Sequence, residues 1–132
     1  MRRDFHCPKC YGILNPNVKI ILRTECHGRA ALLLFSPQPG NYHVIVPESF
    51  PLEKRDEVRF SCPLCSRDLT SRRDKSMAEI TYSTPGGESG RVIFSRTYGH
   101  EETYFVTKEE VRVYGKHADR DGVNYWGVGP HG

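Results

Sequence analysis

The chain has no run of apolar residues long enough to cross a bilayer as a helix, and no stretch carries the three- to four-residue hydrophobic period of an amphipathic helix. The first absence argues against a membrane-spanning helix and the second against a helical fold. A surplus of one charge is missing too. Nineteen Lys and Arg face 16 Asp and Glu, and the formal net charge of +3 gives no strong pull toward nucleic acid or anionic lipid. Met1 to Cys7 contains no hydrophobic signal region, so a cytosolic location is expected. Signatures of catalysis are scarce as well. Six histidines are present (His6, His27, His43, His100, His117 and His131), without His-x-His or His-Glu-x-x-His spacing. Ser36 and Ser95 lack the glycine-flanked elbow of a nucleophile, and Gly86-Gly87-Glu88-Ser89-Gly90 lacks the Lys-Ser/Thr ending of a phosphate loop. These are expected to be turn and hairpin residues, and no enzyme is expected.

What the chain does have is the same pattern twice. Cys7-Pro8-Lys9-Cys10, followed by Leu14, matches Cys62-Pro63-Leu64-Cys65, followed by Leu69, and Phe5-His6 before the first matches Phe60-Ser61 before the second. Leu33-Leu34-Phe35-Ser36 with Gly40 then corresponds to Val92-Ile93-Phe94-Ser95 with Gly99, once 71–75 is taken as an insertion. Arg55-Asp56-Glu57-Val58-Arg59-Phe60 lines up with Lys108-Glu109-Glu110-Val111-Arg112-Val113. Such a period marks a duplicated supersecondary unit whose copies must share a core. At 132 residues the chain is expected to be a single zinc-binding domain of two repeats, 7–60 and 62–113, with a C-terminal extension over 115–132.

Between the cysteine motifs stand short β-branched and aromatic runs bounded by Gly, Pro, Asn and Ser. They predict strands over 18–23, 30–35, 42–46 and 57–61 in the first repeat and 77–83, 91–97, 103–107 and 111–114 in the second. The expected fold is all-β: two tandem antiparallel β-repeats related by a pseudo-two-fold and joined at the cysteines. Val18, Ile20 and Leu22 alternate with Lys19, Ile21 and Arg23, as a half-buried strand requires. Leu32-Leu33-Leu34-Phe35 is apolar at every position and predicts a central strand covered on both faces. Residues 47–54 have no counterpart in the second repeat and read as a solvated connection.

A Cys-Pro-x-Cys turn places two thiolates on one side of a tight loop, where backbone N–H groups donate to sulfur. A structural zinc takes four ligands in a tetrahedron, and the duplication supplies the second pair. One structural Zn²⁺ held by Cys7, Cys10, Cys62 and Cys65 is therefore expected; iron would use similar ligands. The separation departs from the usual ribbon, because 51 residues lie between Cys10 and Cys62. Cys26 is left over. It reads as a small buried hydrophobe, since neighbours Cys26 and His27 on a strand would point to opposite faces and could not grip one ion without a turn there. The two Cys-Pro-x-Cys motifs resemble the paired knuckles of the zinc ribbon class. Their form and wide separation are similar to those of the uncharacterised bacterial CpXC-type proteins, a resemblance that rests on these eight residues and implies metal binding.

Two partner classes follow from the remaining residues. A protein interaction module or accessory subunit would use exposed strand edges, the 47–54 loop or the aromatic tail containing Tyr125 and Trp126. The alternative is a nucleic-acid-binding zinc ribbon protein with a basic patch of Arg67, Arg72, Arg73 and Lys75 beside the second knuckle, interrupted by Asp68 and Asp74.

Overall fold

A computed structural model describes residues 3–118 of the chain, and among them every regular element is a strand. In chain order they are β1 (Asp4–His6), β2 (Ile20–Cys26), β3 (Arg29–Phe35), β4 (Val44–Ile45), β5 (Arg59–Ser61), β6 (Met77–Ser83), β7 (Ser89–Ser95), β8 (Thr103–Val106) and β9 (Val111–Tyr114). All pairings are antiparallel. They build a five-stranded sheet of order β1-β6-β7-β8-β9 and a four-stranded sheet of order β4-β3-β2-β5. No helix among the described residues is long and apolar enough to cross a membrane.

The lead-in strands change sides. β1 precedes the first knuckle yet pairs with β6 beyond the second, through Phe5 and Tyr82; β5 precedes the second knuckle and pairs with β2, through Phe60 and Thr24. The registers of the two sheets match position for position. Leu22 faces Leu33 where Ile80 faces Val92, and Phe35 faces Val44 where Phe94 faces Thr103. The correspondence breaks at β9. Its sequence counterpart leads into β5, which crosses to β2, whereas β9 stays on β8.

Hairpin chemistry explains the local folding. β2 and β3 are joined by His27 and Gly28 at φ 53° and 76°, the two left-handed residues of a type I′ turn whose twist suits the flanking strands. The equivalent β6–β7 connection is longer, with Thr84 accepting from Gly87 N–H at 3.0 Å and donating its own N–H to Glu88 at 2.8 Å. Gly90 is required where β7 and β8 approach, because a Cβ there would lie 2.3 Å from the Val106 carbonyl oxygen. Ser36, just past β3, is a turn residue as expected, whereas Ser95 is the last residue of β7; each Oγ accepts the N–H two positions on, from Gln38 at 3.2 Å and Thr97 at 3.1 Å.

Period-two burial aims one face of each sheet inward. Ile20, Leu22, Thr24 and Cys26 of β2 are buried and alternate with half-buried neighbours; Ile80 and Tyr82 of β6 do the same. Phe60 contacts Phe35 of its own sheet and Phe94 of the other, with ring centroids 5.6 and 5.5 Å apart. Each fully buried aliphatic or aromatic side chain of this kind contributes about 1.5–3 kcal/mol relative to exposure. A second seam stitches the sheets at their edges, where Val58 N–H donates to Arg96 O at 2.8 Å and Tyr98 N–H to Asp56 O at 2.7 Å.

Three expectations are corrected. β3 has neighbours on both sides but is covered on one face only: Leu33 is buried while Leu32 is 50% exposed, because no described element crosses the outer face of the smaller sheet. The 47–54 segment is no simple solvated connection, since its Phe50 is buried in the core and Leu52 packs against that core. Finally, β1 forms a strand where none was expected. The remaining strands overlap the anticipated regions with shifted ends: β2 leaves Val18 outside and exposed but runs on to Cys26, and β7 begins at Ser89, so Ser89 and Gly90 of the expected hairpin loop are strand residues.

Candidate metal centre

Each knuckle is built by the same backbone hydrogen bonds. Tyr11 N–H donates to Cys7 O at 2.9 Å and Cys7 N–H to Gly12 O at 3.0 Å; in the second copy, Ser66 donates to Cys62 O at 2.9 Å and Cys62 to Arg67 O at 3.0 Å. The residue after each last cysteine turns left-handed, with Tyr11 at φ 62° and Ser66 at φ 66°. Inside these turns the N–H groups aim at sulfur. Lys9 and Cys10 donate to Cys7 Sγ at 3.3 and 3.5 Å, Leu64 and Cys65 to Cys62 Sγ at 3.3 and 3.4 Å, and Gly12 to Cys10 Sγ at 3.4 Å. Such donors stabilise thiolate over thiol.

The sheet arrangement brings the two knuckles together. Their four sulfurs lie within 4.8 Å of one another, with Cys7 Sγ 3.8 Å from Cys65 Sγ and Cys10 Sγ 3.7 Å from Cys62 Sγ. Sulfurs placed tetrahedrally at about 2.3 Å from a zinc ion stand about 3.8 Å apart, so the donor set fits a tetrathiolate site. All four are free cysteines, and the cluster can hold a metal ion. Cys7 and Cys62 are fully buried, Cys65 is half-buried and Cys10 is exposed, so one side of the cluster faces solvent.

Without an ion the four thiols are unequal. Burial pushes Cys62 up to about 12 and also raises Cys7. The Arg67 backbone N–H, together with hydrogen bonds from the neighbouring thiols, draws Cys65 down to about 7 despite its partial burial. A metal arriving at neutral pH therefore meets a Cys65 that is already in part thiolate and must displace the protons of Cys7 and Cys62.

The basic residues are assembled in part. Arg67, Arg72, Arg73 and Lys75 are all exposed. Arg72 and Arg73 join Lys9 and Arg91 around a shallow depression beside the first knuckle, and Asp68 and Glu79 line the same depression. Arg67 and Lys75 lie outside it, and the Lys75 carbonyl is taken by the Arg96 guanidinium. Tyr125 and Trp126 fall outside the described residues. His100 bonds Glu102 at 3.1 Å and stacks on His117 with centroids 4.5 Å apart.

Features that the sequence did not single out lie on the two sheet faces. Between the inner faces runs a cavity of about 290 Å³ whose lining includes Phe35, Phe60, Phe94 and Val44. On the outer faces, matching positions differ in exposure. Ile93 and Tyr104 of the larger sheet are sealed, at 1% and 0% exposure, whereas Ile45, paired with Leu34 at the matching place in the smaller sheet, is 45% exposed. Tyr11, Ile13 and Leu64 form exposed apolar tips on the knuckles. Comparison with protein-family models, with curated proteins and with solved structures finds no match to this chain.

Proposed function

We propose that the protein is a structural-zinc β scaffold, in which one Zn²⁺ on Cys7, Cys10, Cys62 and Cys65 ties two pseudo-two-fold-related repeats into one domain. The observation carrying this reading is the tetrahedral spacing of four sulfurs contributed by two knuckles that are distant in sequence. Four thiolate ligands leave no coordination position for water, so the ion holds the fold and does no catalysis. Zinc is preferred over iron because a purely architectural role needs no redox chemistry. The matching strand registers support the two-repeat relation.

The scaffold acts, on this reading, as a cytosolic protein interaction module or accessory subunit. Leu32, Leu34 and Ile45 support it: they lie together on the outer face of the smaller sheet, Leu32 and Ile45 exposed and Leu34 half-buried, whereas Ile93 and Tyr104, which match Leu34 and Ile45 in the larger sheet, are covered. A second reading, nucleic-acid binding, is supported by Lys9, Arg72, Arg73 and Arg91 around one depression. Asp68 and Glu79 in that lining weaken it.

The test is elemental analysis of the reduced, purified chain, followed by capture of partners from native extract with and without nuclease. One zinc per chain at the tetrathiolate site and nuclease-resistant protein partners are expected. A stoichiometric iron, or no metal, would overturn the scaffold reading. Partners lost to nuclease, with affinity falling steeply as salt rises, would favour the second.

A further inference from the structure

Among the described residues a second set of metal-ligating atoms converges. It lies at the β2–β3 turn, and the tetrathiolate reading does not use it. Cys26 Sγ, a His27 ring nitrogen and an Asp56 carboxylate oxygen lie within 4.8 Å of one another. The sequence objection to this trio was that Cys26 and His27 would point apart. The type I′ turn removes that objection, because His27 at φ 53° is no longer in the strand that carries Cys26.

The third group is held from several sides. Asp56 Oδ2 accepts Glu53 N–H at 2.9 Å, and its backbone carbonyl accepts Tyr98 N–H at 2.7 Å. Oδ1 is left facing His27 Nε2 at 3.3 Å. Two ligand atoms at about 2.0–2.1 Å from a tetrahedral zinc stand about 3.3–3.4 Å apart, which is the separation seen here. The residue before Asp56, Arg55, is left-handed at φ 78°. Among the described residues the non-glycine residues with positive φ are Tyr11, Ser66, His27 and Arg55, and all four lie in or directly beside one of the two ligand clusters. Burial grades across the trio from a nearly enclosed Cys26 through a half-buried Asp56 to an exposed His27.

We propose that Cys26, His27 and Asp56 form a second metal site, for a zinc-class divalent cation, with three protein ligands and an open fourth position toward solvent. Thiolate, imidazole and carboxylate together suit a borderline-soft ion, and three protein ligands with one open position differ in kind from a closed tetrathiolate. On binding, Cys26 gives its proton to solvent and its sulfur turns from the Glu57 carbonyl, to which the thiol donates at 3.7 Å, to the ion. The Glu53 N–H on Asp56 Oδ2 is the outer hydrogen bond that fixes a carboxylate ligand.

The full-length chain, stripped of metal under reducing conditions, is titrated with Co²⁺ and then Zn²⁺ while the sulfur-to-cobalt absorption and bound metal are followed. Two equivalents are expected, one with a tetrathiolate spectrum and one with the weaker spectrum of a single thiolate. His27→Gln and Asp56→Asn, changes at exposed and half-buried side chains, are each expected to weaken the second equivalent more than about 100-fold and leave the first intact. Saturation at one tetrathiolate equivalent overturns the proposal, as does a second equivalent that persists in both variants. One equivalent with the single-thiolate spectrum, lost in both variants, supports it and removes the tetrathiolate reading instead.

Discussion

Replacing Cys62 with Ser is the most direct trial of the metal-centred reading. Cys62 is fully buried, its sulfur receives two backbone N–H groups, and it stands 3.7 Å from Cys10 Sγ across the cluster. Structural zinc contributes about 10–16 kcal/mol of apparent binding energy at neutral pH, so one of four ligands carries about 2.5–4 kcal/mol if the shares are equal. That share corresponds to zinc binding weaker by on the order of 10²- to 10³-fold. It also takes up a large part of the roughly 5–15 kcal/mol by which a native domain is stable. Tm should fall by about 10 °C or more at a fixed, low free-zinc concentration. The assay pairs competition with a chromophoric chelator against thermal unfolding. Phe60→Leu serves as control, since it loosens aromatic packing between the sheets and touches no sulfur. It should lower Tm while zinc affinity stays unchanged. Wild-type zinc affinity and Tm in Cys62→Ser would refute the reasoning.

Other outcomes follow from the same structure. In metal-stripped protein, iodoacetamide should modify Cys65 well before Cys62, its rate rising through about pH 7 as the thiolate forms, while Cys62 stays protonated until about pH 12; mass spectrometry of the labelled peptides reads the order. Leu32→Asp should abolish capture of a protein partner and shift Tm by no more than a degree or two, because the side chain is half exposed and lies on the open face of the smaller sheet; pull-down and calorimetry check it. Glu25, whose carboxyl Arg23 and then Arg59 hold below the ordinary value of 4.5, stabilises the fold above that pH and loses the effect as pH falls through its lowered pKa. The Tm difference between wild type and Glu25→Gln should accordingly be present at pH 7 and vanish in acid.

Much of this architecture was legible because the cysteine motif and the strand-forming runs after it recur along the sequence. Cys-Pro-x-Cys announced the knuckles, and alternation at Ile20 and Leu22 announced the inner face of β2. Sheet membership was not legible. β1 is three residues long, too short for a period, and its partner β6 lies far along the chain, so nothing local says that Phe5 belongs beside Tyr82. Leu32 misled for another reason: an uninterrupted apolar run reports hydrophobicity on both faces, not whether anything covers the second. The Cys26–His27–Asp56 cluster escaped because it depends on where a two-residue turn falls, and turn boundaries are set by φ rather than by hydrophobic pattern.

The exchange of lead-in strands dictates when this chain can fold during synthesis. Phe5 leaves the ribosome long before its strand partner, centred on Tyr82, which emerges only after every strand of the smaller sheet has been made. The amino-terminal cysteines wait in the same way for Cys62 and Cys65. The nascent first half therefore has an unpaired strand and two unsatisfied thiols, and it closes late and as a whole. Folding of so non-local a topology is slow, and the emerging chain keeps apolar surface and an unpaired strand edge exposed until its second half arrives.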